Sequence, residues 1–288
     1  MRRLTVLLIA VAMLAAGCSS ATTTTTTTTP TTATTTTTTT AATSSTTTTP
    51  TTAAESSEDP LVLVAFGDSL INHANADLPL IGVYADMLEE EFGVPLDVRD
   101  FSRWSSSPTD LLTALDTERV QTGLSEADVV LLEIPQAEQA IFMTATGWQG
   151  RDPADCGGDD NQQCLRDYVT ANKASVEEIF ARITAICDPA ETLIRSLTMY
   201  QMDVEARKPE DALDVTIPYF TEAQENLEVI AAGYGIPVAD VYHEFMGPDG
   251  TNDPRDRELL LVDQRHPSEK GAKLIAGMLD DLGYDYAD

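Results

Sequence analysis

The stretch that decides the fold is Leu61–Phe66, which reads LVLVAF and is followed at once by Gly67-Asp68-Ser69-Leu70. A short run of consecutive apolar residues, rich in valine and leucine, is typical of a parallel strand that is covered on both faces. The Gly-Asp-Ser turn ends that strand. It places the Ser69 hydroxyl where open α/β sheets bind their ligands, beyond the carboxyl end of a strand.

The rest of the chain up to its end alternates between short β-rich runs and longer amphipathic stretches. Further strands are predicted at 94–101, 127–134, 192–200 and 237–241. Helices are predicted at 79–92, 108–122, 165–186, 217–232 and 268–282. Five strands that alternate with five helices predict one doubly wound, three-layer α/β domain with a parallel sheet over residues 60–288.

Composition excludes several classes of function. The 288 residues include 17 lysines and arginines against 47 aspartates and glutamates, a formal charge of −30. A nucleic-acid binder needs clustered basic side chains, so no nucleic-acid partner is expected. Polyanionic substrates and anionic membrane surfaces should also be repelled unless a local basic patch offsets the field.

The first 59 residues are predicted to be a targeting signal followed by a linker. Residues 1–17 combine a basic start with a short apolar run, as in a signal peptide. The run ends Leu14-Ala15-Ala16-Gly17-Cys18, which resembles a bacterial lipobox with Cys18 as the lipidated residue. An ordinary secretory signal, with Cys18 near the cleavage site by chance, is the alternative. Residues 18–59 include 24 threonines between Ala21 and Ala54 and predict a disordered linker from the lipid anchor to the domain.

A nucleophilic serine needs a base, and the chain has three histidines. His73 lies four residues after Ser69, in a loop or first turn. His243 follows the fifth predicted strand and is interpreted as a surface residue. His266 stands three residues after Asp263, in a segment whose backbone is restricted by Pro267. We take this Asp-x-x-His spacing to single out His266, because the carboxylate can hold the Nδ1 proton and leave Nε2 free.

The two end motifs together resemble the SGNH/GDSL hydrolases. Gly67-Asp68-Ser69-Leu70 resembles the first block of that family, and Asp263 to Gly271, which reads DQRHPSEKG, resembles the last. The resemblance covers essentially residues 61–283. It implies a flavodoxin-like fold, with Ser69 as nucleophile, His266 as base and Asp263 as the partner that orients the base.

The middle blocks of the family pattern are altered. Alignment on residues 110–112 puts Ser105 where the family has an oxyanion glycine. After the third strand the family has Gly-x-Asn-Asp, whereas this chain reads PQAE at 135–138, so Ala137 replaces the asparagine. The resemblance then implies an oxyanion hole from the N–H groups of Ser69 and Ser105, with the Gln136 amide as a further donor. Trp104, Trp148 and Tyr200 also follow strands and are candidates for lining an acyl or sugar pocket, ordinary packing being the other interpretation.

The remaining cysteines predict one disulfide. Cys164 and Cys187 flank a predicted helix of about 22 residues, which separates them by roughly 33 Å. A disulfide tolerates at most about 7 Å between Cα atoms, so Cys156–Cys164 is the expected bridge and Cys187 a buried small hydrophobe. The acidic loop at 157–160 is interpreted as a solvated loop, with Ca²⁺ binding as the alternative, since it lacks an EF-hand pattern. No zinc spacing is present, so no metal and no cofactor are expected.

These features predict an extracytoplasmic, lipid-anchored serine ester hydrolase that works through an acyl-enzyme. Its substrate would be a small-molecule, lipid or polysaccharide ester. Two alternatives stay open. One is acyl transfer to an envelope sugar, and the other is a surface binding protein of the same fold that has lost the chemistry through its altered middle blocks.

Overall fold

A five-stranded parallel sheet forms the centre of the domain. The computed structural model describes residues 59–73, 78–103, 106–134, 156–202, 204 and 212–286. The strands are β1 (Leu61–Phe66), β2 (Leu96–Asp100), β3 (Val129–Glu133), β4 (Leu193–Leu197) and β5 (Val238–Ala239). Their order is β2-β1-β3-β4-β5, and every neighbouring pair is parallel. This is the flavodoxin-like order, the fold that the resemblance to the SGNH/GDSL hydrolases implies.

Helices cover both faces of the sheet. They are α1 (Leu80–Phe92), α2 (Pro108–Leu115), α3 (Glu118–Ser125), α4 (Gln163–Thr184), α5 (Ala212–Gly233), α6 (Val241–Met246) and α7 (Glu269–Asp281), with a 3₁₀ turn at Pro254–Arg257. None of the helices in the described ranges is long and apolar enough to cross a membrane.

The apolar run of β1 is explained by burial on both faces. Leu63 and Ala65 belong to the core layer shared with α1 and α7, whereas Val64 and Phe66 belong to the layer shared with α2, α3 and α4. All four side chains are fully buried. Successive residues of a strand point to opposite faces, so a strand covered on both sides must be apolar throughout.

One predicted helix is wrong. Residues 108–122 form two helices, α2 and α3, because Asp116 ends the first and Thr117 caps the second. The Thr117 hydroxyl accepts a hydrogen bond from the Val120 N–H, which satisfies one of the free donors at a helix start. Predicted strands are also longer than observed. The predicted 192–200 segment contains only β4, since the chain leaves the sheet after Leu197.

The cysteines agree with the sequence prediction. Cys156 and Cys164 form a disulfide with their Cα atoms 5.0 Å apart. Cys187 is buried, and its thiol donates to the Leu124 carbonyl. Burial raises the pKa of the Cys187 thiol to about 12, so this cysteine stays protonated. The predicted lipidation site Cys18 and the threonine-rich linker lie outside the described residues.

Candidate active site

The loop after β1 is held by a buried carboxylate from β3. Glu133, the last residue of β3, is fully buried, and its Oε2 atom accepts the Asp68 N–H at 2.7 Å. The Asp68 carboxylate in turn accepts the Leu70 N–H at 2.8 Å. Burial raises the pKa of Asp68 above its usual value, although the Leu70 bond and His266 oppose that shift. These bonds fix the backbone on both sides of Ser69.

Position 67 has to be glycine because Glu133 and Ile71 pack closely against it. Its φ is 155°, and a Cβ atom there would lie 2.5 Å from both Glu133 Oε2 and Ile71 Cγ1. A contact that short is not tolerated without displacement of one partner. The first residue of the Gly-Asp-Ser turn therefore has a steric reason to be glycine.

Ser69, His266 and Asp263 form a hydrogen-bonded chain. His266 Nε2 lies 2.9 Å from Ser69 Oγ, although the two residues are 197 positions apart in the sequence. His266 Nδ1 lies 2.7 Å from Asp263 Oδ2. Ser69 and His266 are both buried, whereas Asp263 is partly exposed. The three residues that the sequence assigns to a triad are thus brought together in the order that assignment requires.

The Asp263 carboxylate is oriented by the backbone. Its Oδ1 atom accepts the N–H groups of Arg265 and His266, at 3.0 and 3.1 Å. Burial raises the pKa of Asp263, but the hydrogen bonds from the His266 ring and these two N–H groups outweigh it, so the pKa falls below its usual value. Asp263 is therefore ionised at neutral pH and faces the Nδ1 side of the imidazole.

The loop that presents His266 is braced against the start of α7. Ser268 caps that helix by accepting the Gly271 N–H, and its own N–H donates to the Leu259 carbonyl. A Cβ atom at Gly271 would lie 2.1 Å from that same carbonyl oxygen. The Pro-Ser-x-x-Gly pattern after His266 therefore serves to dock the helix start against residue 259.

Tyr200 holds the loop that presents His266 through a hydrogen bond. Its hydroxyl donates to the Arg265 carbonyl at 2.6 Å, and its ring stacks on Phe245 with centroids 4.6 Å apart. Only 1% of Tyr200 is exposed. Burial raises the pKa of Tyr200 well above its usual value, and the nearby carboxylates add to the shift. Of the two interpretations from sequence, packing is correct for Tyr200, and it does not line an open pocket.

His73 belongs to the site, a position that its loop location in the sequence does not predict. Its Nε2 atom lies 3.5 Å from Asp263 Oδ2. Its ring meets the His266 ring edge-on, with centroids 3.6 Å apart. Burial, with the neighbouring His266, lowers the pKa of His73 even though Asp263 opposes that shift. The only sequence signal was proximity, because His73 follows Ser69 by four residues.

The Asp-x-x-His spacing does not by itself identify the base. Asp240 stands three residues before His243, and the two form the same contacts, with Oδ2 to Nδ1 at 2.8 Å and Oδ1 to the His243 N–H at 3.1 Å. The His243 side chain is one-third exposed. The contact with Ser69, and not the local spacing, distinguishes His266.

The remaining predicted site residues lie outside the described ranges. These are Ser105 and Gln136 of the oxyanion hole, together with Trp104, Ala137 and Trp148. Ser69 is therefore the one predicted oxyanion donor whose surroundings the structure describes. Its N–H, at the end of β1, stays a predicted donor.

One group of side chains in the described part of the chain has the composition of a metal site. One donor atom from each of His73, Asp263 and His266 can be chosen so that all three lie within 4.8 Å of one another. Two imidazoles and a carboxylate are ligands that suit zinc and similar transition metals.

Solved structures share this fold at low sequence identity. The lipase Lip_vut3 from a goat rumen metagenome has a TM-score of 0.61 at 19% identity, over 78% of this chain and 98% of the lipase. Axe2, an acetylxylan esterase from Geobacillus stearothermophilus, has a TM-score of 0.54 at 14% identity, over 79% and 96%. A protein of Parabacteroides merdae assigned as a GDSL-like lipase has a TM-score of 0.51 at 14% identity, over 78% and 95%.

No protein-family model matches the sequence, and no curated protein matches it. At the identities above, the likeness shows the fold. The chain therefore has the architecture of the GDSL-type lipases and esterases, and a shared fold does not by itself determine the chemistry of a site.

Proposed function

We propose that this protein is a serine ester hydrolase that acts through an acyl-enzyme. The observation that carries the proposal is the chain of contacts from Ser69 Oγ to His266 Nε2 at 2.9 Å and from His266 Nδ1 to Asp263 at 2.7 Å. The fold shared with proteins named as lipases and acetylxylan esterases supports the same conclusion.

Each residue has a distinct role in the proposed reaction. Ser69 Oγ attacks the ester carbonyl carbon while its proton moves to His266 Nε2. The bond to the alcohol oxygen then breaks, and the alcohol leaves with that proton. Water attacks the acyl-enzyme, gives its proton to His266, and the acid departs as Ser69 recovers its hydrogen. Asp263 holds the imidazole in the tautomer that keeps Nε2 free and stabilises the imidazolium that forms.

The developing oxyanion needs donors aimed at it. By resemblance to the SGNH/GDSL hydrolases, we assign this role to the N–H groups of Ser69 and Ser105 and to the amide of Gln136. A backbone N–H can donate whatever the side chain, so a serine at position 105 is compatible with the role. The missing asparagine at Ala137 makes Gln136 the side-chain candidate.

We also propose that the enzyme acts outside the cytoplasm, held to the membrane through Cys18. The lipobox-like segment before Cys18 supports this placement. The Cys156–Cys164 disulfide agrees with it, since disulfides persist in oxidising compartments. The ester substrate would then be a small molecule, a lipid or a polysaccharide met in the envelope.

The test is turnover of p-nitrophenyl acetate by the wild type and by matched histidine variants. Ser69→Ala and His266→Gln should each lower kcat by roughly 10⁴-fold or more, as removal of triad members does elsewhere. His243→Gln, in an Asp–His pair for which the described residues show no serine partner, should leave kcat unchanged. Mass spectrometry after treatment with a fluorophosphonate should find the label on Ser69.

Other outcomes would contradict the proposal. Full turnover in purified Ser69→Ala would remove Ser69 from the reaction. A folded wild type that neither hydrolyses esters of any chain length nor reacts with the fluorophosphonate would support a binding protein instead. An acylated sugar product formed in preference to free acid would support acyl transfer.

A further inference from the structure

The third histidine changes what the triad can bind. His266 and Asp263 form the pair that any serine hydrolase of this kind requires, whereas His73 adds a second imidazole beside the same carboxylate. His73 Nε2 lies 3.5 Å from Asp263 Oδ2, the oxygen that also accepts from His266 Nδ1 at 2.7 Å. One carboxylate oxygen is thus approached by nitrogen atoms of two imidazoles.

These separations are close to those of ligands around a tetrahedral zinc ion. Zn–N and Zn–O bonds of about 2.0–2.2 Å place neighbouring ligand atoms roughly 3.3–3.5 Å apart. The His73–Asp263 separation already lies in that range. The His266–Asp263 separation would have to open by roughly 0.6–0.8 Å, and Asp263 is the more exposed of the two partners.

We propose that His73, Asp263 and His266 form an inhibitory binding site for Zn²⁺. Imidazole and carboxylate ligands suit this ion, whereas Ca²⁺ and Mg²⁺ require shells made mainly of oxygen atoms. Three protein ligands leave a fourth position for water, as in zinc sites with an open coordination position. The formal charge of −30 adds a general attraction for cations.

The inhibition follows from the tautomer of His266. A neutral imidazole carries one proton, and in the proposed reaction Nδ1 holds it against Asp263. When Zn²⁺ takes the Nδ1 lone pair, that proton moves to Nε2, and no proton leaves the ring. Nε2 then has no lone pair for the Ser69 proton. This inhibitory consequence rests on the proposed function, whereas the binding of zinc does not.

The chain supplies an internal comparison. Asp240 and His243 reproduce the contacts of Asp263 and His266, but no third His, Cys, Asp or Glu joins them in a cluster within the described ranges. An aspartate–histidine pair alone is a poor zinc site. Removal of His243 should therefore leave zinc binding unchanged, while removal of His73 should weaken it.

The first measurement is calorimetric titration of the purified full-length protein with ZnCl₂. We expect one saturable site in the wild type and in His243→Gln. We expect the Kd of His73→Gln to rise at least about 10-fold, since loss even of a group outside the ligand shell costs 10- to 100-fold. If His73→Gln loses its native circular dichroism spectrum, Asp263→Asn replaces it, because that change keeps the shape and removes the charged ligand.

The second measurement is the rate of p-nitrophenyl acetate hydrolysis against ZnCl₂ concentration, each variant compared with its own rate without zinc. Zinc should inhibit the wild type and His243→Gln at the same midpoint, and EDTA should restore both rates. The midpoint for His73→Gln should rise by the same factor as its Kd.

The outcomes separate this proposal from the function it builds on. Absence of saturable zinc binding, binding that His73→Gln leaves unchanged, or binding that His243→Gln weakens would each overturn the zinc site. Zinc bound at this site without loss of turnover would overturn its inhibitory role. If no ester is hydrolysed, the proposed function fails, and the calorimetric result still decides whether the metal site exists.

Discussion

At the scale of single residues, Arg195 is the largest fully buried side chain among the described residues. It lies in the middle of β4, and its guanidinium donates to the carbonyl oxygens of Ile194, Gly283 and Asp285 at 2.7–3.2 Å. Burial lowers the pKa of Arg195. The side chain thereby ties the segment that follows α7 to the sheet.

Arg195→Met should lower the free energy of unfolding by about 2–4 kcal/mol. Methionine fills much of the space, but the Gly283 and Asp285 carbonyls lose donors, and hydrogen bonds to charged groups are worth about 1.5–3 kcal/mol each. Thermal unfolding should show a Tm lower by roughly 5–15 °C for a domain of this size.

Arg99→Met is the matched control, since Arg99 also lies in a strand. Its partners Asp97 and Glu126 are about half-exposed, and such surface pairs are worth about 0–1 kcal/mol. An equal loss of stability in the two variants would show that the buried carbonyl contacts of Arg195 contribute little.

The same scale shows what the sequence could predict of the site. Ser69, Asp263 and His266 follow from two local motifs, and the structure brings their side chains together. The sequence also contains Asp240 and His243 at equal spacing, and it places His73 in a loop. Which histidine contacts Ser69 depends on the tertiary fold, which brings the loop after β1 next to the loop before α7. Local spacing does not encode that contact.

At the scale of elements, the junction between β1 and its loop is sensitive to a single methyl group. Gly67→Ala should lower the free energy of unfolding by about 1–3 kcal/mol, because its Cβ would collide with Glu133 and Ile71. The collision should also displace the Asp68 N–H from Glu133, and with it Ser69, so kcat for p-nitrophenyl acetate should fall by roughly 10-fold or more.

Gly277→Ala provides the contrast within a helix. Apart from the neighbouring backbone of α7 itself, no atom lies within 4 Å of a Cβ built at Gly277, so alanine should raise the free energy of unfolding by about 0.5–1 kcal/mol and leave kcat unchanged. Urea denaturation and steady-state kinetics measure both variants. Wild-type kcat in Gly67→Ala would show that Ser69 tolerates movement of its loop.

Element types were predictable where burial imposes a pattern. β3 is buried along its whole length and β1 from Leu63 onward, both are apolar runs, and the sequence predicts both. The break between α2 and α3 was missed because Thr117 acts as a cap inside an otherwise continuous helical pattern. The helix predicted at 217–232 begins too late, since α5 begins at Ala212 and contains Pro218 in its interior.

At the scale of the whole molecule, the lipid anchor predicted at Cys18 can be tested directly. Mass spectrometry of membrane-extracted protein should find a diacylglyceryl group on Cys18 as the mature N-terminus. Two or three acyl chains bind a membrane firmly, whereas one gives only marginal binding. Cys18→Ser should therefore release the protein from the membrane fraction. A mature N-terminus that begins beyond residue 18 without lipid would contradict the lipobox interpretation.

Charge is the other property of the whole molecule that bears on function. Residues 1–58 contain two basic and two acidic side chains, so the formal charge of −30 belongs entirely to residues 59–288. Asp263, whose pKa lies below its usual value, adds negative charge beside His266. An anionic ester should therefore be repelled on approach, and the repulsion should weaken as salt shortens the screening length from about 30 Å at 0.01 M to about 3 Å at 1 M.

The expected result is a salt effect that depends on the charge of the ester. Between about 0.01 and 1 M NaCl, kcat/KM for p-nitrophenyl hemisuccinate should rise on the order of 10-fold, while that for neutral p-nitrophenyl acetate should change little. The pair isolates charge because both esters share the same leaving group. Arg265, next to His266 in the sequence, is a cation that could reverse the sign. A kcat/KM for the hemisuccinate that falls with salt, and loses this dependence in Arg265→Gln, would show that a local positive charge overrides the field of the whole molecule.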